Sequence, residues 1–387
     1  MSSPATGSGN IPAAGTDTTG SRGGTRATAR ARSRVFLSGL RVVLALELRQ
    51  RVRGTAWYIL IGIFVALVAI VTLVLWFALS SFGNNAGGGI FSTIIFFVLL
   101  LGTLVAPALS GTAINGDRDA GTLATTQVTL ITTWQLVLGK FLAAWITALA
   151  FLVASLPFLS FAVLRGGLQP DVIVVAVVIL ALELGVIAAI GVGLSGILTR
   201  PLFSIVLSYL VVAALSIGSL IAFGLAGLAT QSELRTTYIG VASGGEITDT
   251  GATDVTCLPP HVSTTTVPRY DYWWAILVAN PYVVLADAVP ATFDKSGFPE
   301  DLFGSIKVGV RSVQVAPDLE QVIDQCAMGS GSEFEMRETP EQTVQRTTPG
   351  WFVGLAIHLL FAAGALIGAW AKTNTPARRL AKGSRIA

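Results

Sequence analysis

Long apolar stretches alternate with short polar interruptions along the chain, and this pattern predicts six membrane-spanning helices. A helix needs about 20 apolar residues to cross the hydrocarbon core of a bilayer. Six stretches are long enough: 56–82, 89–114, 136–164, 172–198, 201–228 and 351–371. We therefore predict an all-α integral membrane protein, with five helices in residues 55–230 and the sixth at 351–371.

One further apolar stretch, residues 273–288, is too short for a seventh span. It has only 16 residues, and Asn280-Pro281 interrupts it. Proline removes a backbone donor and breaks a continuing helix. We expect a re-entrant or interfacial element, with the aromatic residues Tyr272, Trp273 and Trp274 at the level of the lipid headgroups.

Composition and charge support a membrane protein and predict its orientation. Hydrophobic residues make up 52% of the chain and charged residues only 12%, whereas soluble domains carry roughly 25% charged residues. With the N-terminus inside, the inner segments hold 17 Lys and Arg against four acids, and the outer segments hold eight against 17. Positive charge favours the cytoplasmic side. We expect both termini in the cytoplasm and the chain in the cytoplasmic membrane.

The ends of the chain are polar and basic. Residues 1–34 are mostly Ser, Thr, Gly, Ala and Arg, a composition that predicts a disordered cytoplasmic tail. In residues 35–54, apolar positions with helical spacing alternate with arginines, which suits an amphipathic helix on the inner leaflet. A helical extension of the first span is the alternative. Residues 372–387 form a basic cytoplasmic tail, and we expect no nucleic-acid partner.

The 120 residues from 231 to 350 predict a mixed or irregular extracytoplasmic domain between the fifth and sixth helices. Residues 305–315 alternate partly like a β-strand. Cys257 and Cys326, the only cysteines, both lie on the oxidising side, so a disulfide is expected; two buried thiols are the alternative. No metal site is expected, since His261 is the only nearby histidine.

Two ionisable residues lie inside predicted spans. Glu183 follows Asp171 by 12 residues, which places it about 18 Å into the fourth span and near the bilayer midplane. Such a residue is either a functional site or a protonated glutamate bonded to a neighbouring helix. His358 lies about two turns into the last span. We therefore expect it at a different depth from Glu183, as a packing residue.

The loop between the second and third spans carries a motif. Residues 117–140 read DRDAGTLATTQVTLITTWQLVLGK. This segment resembles the cytoplasmic signature of type-2 ABC exporter permeases, with an acid-Arg-acid, a Gly-Thr-Leu and a closing Leu-Gly-Lys. It departs from that signature at Ala124, Thr125-Thr126 and Leu130. The positions that carry the resemblance are Asp117, Arg118, Asp119, Gly121, Thr122, Leu123, Trp134 and Leu138-Gly139-Lys140.

The resemblance implies a transport subunit rather than an enzyme. Residues 115–135 would then form a coupling loop that binds a cytoplasmic ATP-binding subunit, and a second permease copy or homologue would complete the pathway. The chain lacks a phosphate-binding G-x-x-x-x-G-K-[ST] motif, so ATP and Mg²⁺ would bind to the partner and no cofactor or catalytic residue to this chain. An ordinary water-facing connector, a membrane sensor or assembly factor, and a glycosyltransferase that uses Asp117 and Asp119 as a D-x-D metal site are the alternatives.

Overall fold

A computed structural model of the chain describes residues 21–79, 87–121, 131–241, 257–325 and 338–374, with side chains from residue 34 onward. The described helices are α1 (Ser21–Arg53), α2 (Thr55–Leu79), α3 (Gly87–Ser110), α4 (Asn115–Asp119), α5 (Thr133–Leu164), α6 (Pro170–Ile197), α7 (Pro201–Ala229), α8 (Pro281–Ala288), α9 (Leu302–Ser312), α10 (Pro340–Arg346) and α11 (Trp351–Thr373). The strands are β1 (Gln231–Ile239), β2 (His261–Pro268) and β3 (Glu320–Asp324).

Six of the described helices are long and apolar enough to cross a membrane: α2, α3 with its continuation α4, α5, α6, α7 and α11. This confirms the six predicted spans, and the bounds agree to within a few residues. Pro170 and Pro201 occupy first helical positions, where the missing N–H would be unpaired anyway. Following the predicted orientation, we call the end that carries α4 the inner end and the end that carries the strands the outer end.

The bundle is arranged around α6. Every residue from Glu183 to Gly193 is buried, as expected for a helix that is apolar on all sides. Most of the apolar window of α3 and α6 is buried, 61% in each, whereas only 17% is buried in α2 and α7. The spans thus divide into a protein-enclosed centre and a periphery with exposed apolar side chains.

The first helix differs from its prediction. It begins at Ser21, inside the segment expected to be disordered, and residues 1–20 lie outside the described part. Alanine and arginine have high intrinsic helix propensity, and they dominate residues 26–34. The expectation of disorder weighed only the shortage of large apolar side chains. From residue 36 onward, one face of α1 packs against α5, with Val43 beside Gly139.

The outer end contains a three-stranded sheet in the order β2-β1-β3. Strand β1 pairs antiparallel with β2 and parallel with β3. The predicted strand in residues 305–315 is wrong, because this stretch belongs to α9 and its following turn. The Asp301 carboxylate accepts from the Gly304 N–H at 2.7 Å and caps that helix. Its buried residues Phe303, Lys307 and Arg311 recur every four positions, which is helical spacing.

Residues 273–288 do not form a seventh span, as predicted. They contain a 3₁₀ helix, Trp274–Ala279, followed by α8. The break falls at Asn280-Pro281, where the Asn280 side chain accepts from the N–H groups of Tyr282 and Val283. We call residues 274–288 the broken helix. The site at its break is described below.

Candidate functional site

The short helix α4 is held against α6 by one serine. The Ser195 hydroxyl of α6 accepts from the backbone N–H of Ile114 at 2.9 Å and of Asn115 at 3.1 Å, and it donates to Asn115 Oδ1 at 3.0 Å. Ser195 and Asn115 are both fully buried. A second contact is weaker: Arg118 Nη1 donates to the Leu198 carbonyl at 3.3 Å. The start of α4 is therefore attached to the inner end of α6.

A buried lysine connects three further elements at the inner end. Lys140 of α5 has only 2% of its side chain exposed. Its ammonium group donates to Glu47 of α1 and lies 2.7 Å from Asp117 Oδ2 of α4. We call Glu47, Lys140 and Asp117 the inner charge cluster. Through this cluster, α1 and α4 are bonded to α5, the third span. The pairing of Asp117 with Lys140 also engages one of the two carboxylates that a D-x-D metal site would need.

The surface that α4 offers to a partner is small. Asp119, Ala120 and Gly121 are exposed, and Gly121 has φ +70°, a left-handed conformation that suits glycine. Thr122 and Leu123, two of the predicted coupling residues, lie outside the described part of the chain. Among the described coupling residues, Asp119 is an exposed charged one, whereas Asp117 and Arg118 are half-buried.

The other predicted coupling residues face the protein. Trp134 stacks on Trp370 of α11, with ring centroids 5.3 Å apart and planes 15° apart. Lys140 is buried in the inner charge cluster. Lys140 is therefore not part of the accessible surface, and Trp134 is half-buried against α11.

A second arginine supports the inner end. Arg51 Nη2 of α1 donates to the Leu109 carbonyl of α3 at 3.2 Å. Burial lowers the pKa of the Arg51 guanidinium from its usual range, since desolvation disfavours its charge. Helix α1 thus contacts both the second and the third span.

Glu183 and His358 meet inside the bundle. His358 Nδ1 lies 2.9 Å from Glu183 Oε1, and each side chain is 1% exposed. The prediction that the two residues lie at different depths is wrong. The N–H groups of Gly350 and Trp351 donate to the buried Asp287 of α8, so α11 begins among the outer elements. Counting turns from the first apolar residue therefore does not measure depth from a common plane.

The second nitrogen of His358 contacts the break in the broken helix. His358 Nε2 lies 2.9 Å from the carbonyl oxygen of Ala279. The next residue, Asn280, donates through Nδ2 to the Ser216 carbonyl at 2.6 Å and to the Ser219 hydroxyl at 2.9 Å. Ser216 lies in a π-helical turn of α7, Ala214–Gly218. Two polar side chains, His358 and Asn280, thus bind the backbone polar groups where regular helix is interrupted, as an apolar environment requires.

An open groove lies beside this break. It encloses about 460 Å³ between α3, α7 and the broken helix. Its lining is mostly apolar, with the hydroxyls of Thr103 and Tyr282 sharing a hydrogen bond at 3.2 Å. Tyr209 on the opposite wall donates to the Leu104 carbonyl at 2.6 Å. The side chains that line the groove carry no formal charge.

The outer elements are joined by a buried ion pair. Asp287 Oδ1 accepts from Arg311 Nε at 2.7 Å, and Asp287 Oδ2 accepts from the two N–H groups at the start of α11. Lys307 Nζ of α9 donates to the Val289 carbonyl at 2.5 Å, and burial lowers the pKa of its ammonium. These contacts hold α8, α9 and α11 together at the outer end.

The cysteine prediction falls partly outside the described residues. Cys257 is described and pairs with Val241 in an isolated antiparallel bridge near the strands. Cys326 lies outside the described part of the chain, so the disulfide stays a prediction.

Comparisons with known proteins do not classify this chain. No family model matches it, and no curated protein is significantly similar to it in sequence. The resemblance of residues 117–140 to type-2 ABC exporter permeases therefore depends on the motif and on the position of that motif in the fold.

Sequence reasoning missed four residues of these sites: Ser195, Asn115, Glu47 and Asp287. Ser195 and Asn115 are single small polar residues at span ends, where no spacing rule marks them. Asn280 differs from these four, because its place before Pro281 marks it in the sequence as the start of a helix.

Proposed function

We propose that this chain is the permease subunit of an ATP-driven exporter of the type-2 ABC class. The observation that carries the proposal is the placement of α4. This helix holds the acid-Arg-acid part of the resembling motif, lies at the inner end of a six-span bundle, and contacts Lys140 of α5 and Ser195 of α6. A partner that moves α4 would therefore act on several spans at once.

ATP and Mg²⁺ would bind to a separate cytoplasmic subunit, and two permease copies would form the pathway. The partner would contact Asp119 and the residues that follow it. Nucleotide binding would favour one of two arrangements of the bundle, because a ligand shifts an equilibrium only by its different affinity for the two states. The chain itself would contribute the membrane path.

We place the substrate path along the groove between α3, α7 and the broken helix. Its apolar lining without formal charge suits an apolar portion of a substrate. Hydroxyl groups of Thr103, Tyr209 and Tyr282 lie at its wall, and the Tyr209 oxygen, which donates to Leu104, can still accept a hydrogen bond. The flanking α7 contains a π-helical turn, a feature that is frequent at functional sites in helices.

The test is assembly with an ATP-binding subunit. The chain is co-expressed with the ABC-type ATP-binding subunit encoded nearest to it, purified in lipid nanodiscs and assayed for ATP hydrolysis. Asp119→Lys is chosen because Asp119 is exposed, so that the reversal leaves the inner charge cluster intact. We expect a loss of assembly or of ATP turnover of at least about tenfold, as for removal of a charged interface contact.

The matched control is Glu233→Lys, the same reversal at an exposed position of β1 on the outer end. It is expected to assemble and hydrolyse ATP like the wild type. If Asp119→Lys also behaves like the wild type, or if no ATP-binding subunit associates, the exporter proposal is wrong. A binding role for the outer elements would then be the next function to test.

A further inference from the structure

Helix α6 is enclosed by protein along most of its length. It runs from Pro170 to Ile197 without an internal proline after its first position. Small residues bring α11 close along its inner half, with Gly193 against Ala365 and Gly196 against Ala369. A continuous helix with a closely packed neighbour is a stiff element, since protein interiors resist deformation.

The inner end and the middle of this stiff element bind polar groups of other elements. At the inner end, Ser195 holds the start of α4 through three hydrogen bonds. Twelve residues earlier, or about 18 Å along the helix, Glu183 holds His358, whose other nitrogen contacts the Ala279 carbonyl. Helix α6 therefore connects α4 with the contacts of the broken helix.

The proton arrangement of the outer contact follows from its acceptors. A carbonyl oxygen only accepts, so the 2.9 Å contact with Ala279 requires a proton on His358 Nε2. One further proton lies between His358 Nδ1 and the Glu183 carboxyl group. In either position of that proton the pair has no net charge. Glu183 thus holds in place the imidazole whose Nε2–H donates to the broken helix.

Movement of the broken helix would reach the groove. Asn280 donates to Ser216 of α7, and the Tyr282 hydroxyl bonds to that of Thr103 of α3. These residues line the groove that we assign to the substrate. A displacement of the break at Asn280 would therefore change the walls of that groove on two sides.

We infer that α6 transmits movement of α4 to the broken helix, with Ser195 and Glu183 as the positioning residues at its two contacts. The inference rests on the proposed function for its purpose, because α4 is where an ATP-binding partner would act. The physical connection itself is a property of this chain alone. It can be tested without the partner.

The test is hydrogen–deuterium exchange of the full chain in nanodiscs, followed on peptides that cover residues 274–288. Glu183→Leu should accelerate exchange there by roughly fivefold, because it leaves His358 Nδ1 without its partner. Ser195→Ala should accelerate it by about twofold, although Ser195 is distant, because the α4 contact is lost. Glu183→Gln should exchange at the wild-type rate, since an amide can donate to Nδ1.

The decisive comparison is the double variant. If both residues act through α6, Ser195→Ala should add nothing in the Glu183→Leu background, whereas two independent destabilisations would multiply. Ser155→Ala is the matched control, since Ser155 is a buried serine of α5 that donates to Leu152 of its own helix. It should leave residues 274–288 unchanged, and peptides of α9 should report an intact fold in every variant.

Unchanged exchange of residues 274–288 in Ser195→Ala, or multiplying effects in the double variant, would overturn transmission through α6. These outcomes are separate from the exporter proposal. A chain that shows the coupling but binds no ATP-binding subunit would keep the transmission and lose the proposed function. A complex that hydrolyses ATP with no coupling between the two contacts would do the reverse.

Discussion

Two clusters of buried ionisable side chains in this molecule offset the cost of desolvation in different ways. The inner charge cluster places one ammonium between two carboxylates, and the side chain of Asp117 remains 37% exposed. The Glu183–His358 pair is 1% exposed on both sides and can stay neutral by sharing one proton. The inner charge cluster keeps its full charges beside solvent, whereas the Glu183–His358 pair lies away from solvent and carries no net charge.

The difference follows from desolvation. A charge taken from water into a low-dielectric interior loses several kcal/mol of solvation, which a partner offsets only with good geometry. Lys140 has two acidic partners, and one of them still reaches solvent. Glu183 has no such access, so an imidazole that can exchange a proton with it is the better partner. The comparison predicts that the two clusters respond differently to neutral substitutions.

The largest effect is expected for Lys140→Met. This change leaves the carboxylates of Glu47 and Asp117 near each other without the buried cation between them. Loss of one partner of a buried ion pair costs about 3–5 kcal/mol. Thermal unfolding of the purified chain in detergent should show the loss as a strongly lowered midpoint.

The matched control is Lys372→Met, at an exposed position near the end of α11. Its unfolding midpoint should remain close to that of the wild type, since surface substitutions usually change stability by less than about 0.5 kcal/mol. Equal stability of Lys140→Met and the wild type would show that the inner charge cluster contributes no net stability.

An intermediate effect is expected at Glu183, and it depends on the substitute. Glu183→Leu leaves one imidazole nitrogen unpaired in the bundle, at a cost of about 1–3 kcal/mol. Glu183→Gln keeps a hydrogen bond to Nδ1 and should cost less than about 1 kcal/mol. The same detergent unfolding assay measures both variants.

Substitution by glutamine, which has a neutral side-chain amide, separates the two clusters more sharply. Lys140→Gln should remain strongly destabilising because no amide neutralises two carboxylates, whereas Glu183→Gln should be tolerated. If Glu183→Gln is as unstable as Glu183→Leu, the pair is an ion pair, and the two clusters do not differ in kind.

The spans and the break at Asn280-Pro281 were predictable because hydrophobic length and proline act locally along the chain. The placement of α4 on the inner side is a prediction from the motif and from charge counting. The partners of Lys140 and Glu183 were not predictable, since they depend on how deep each helix begins and which faces meet. Glu47 illustrates this: its distance from Lys140 in sequence is 93 residues, and no spacing relates them.

The identity of α9 shows a further limit of sequence reasoning. Residues 305–315 alternate partly between apolar and polar side chains, which favours a strand. The helix begins with the Asp301 cap and turns Lys307 and Arg311 inward, toward the Val289 carbonyl and Asp287. In a hydrophobic pattern, Lys307 and Arg311 count as exposed polar positions. Only their partners, the Val289 carbonyl and Asp287, show that they face the interior.

The smallest effect is expected for Asp117→Asn, and it separates the two roles of the inner charge cluster. Asp117 is partly exposed, and Glu47 would still neutralise Lys140, so the stability loss should stay within about 1 kcal/mol. The same unfolding assay measures it, with Lys140→Met as the large reference. A loss as large as that of Lys140→Met would mean that Asp117, and not Glu47, is the partner that offsets the burial of Lys140. A small loss would mean that Lys140 is bound mainly to Glu47 of α1, and that the hydrogen bonds with Ser195 of α6 are the main attachment of α4.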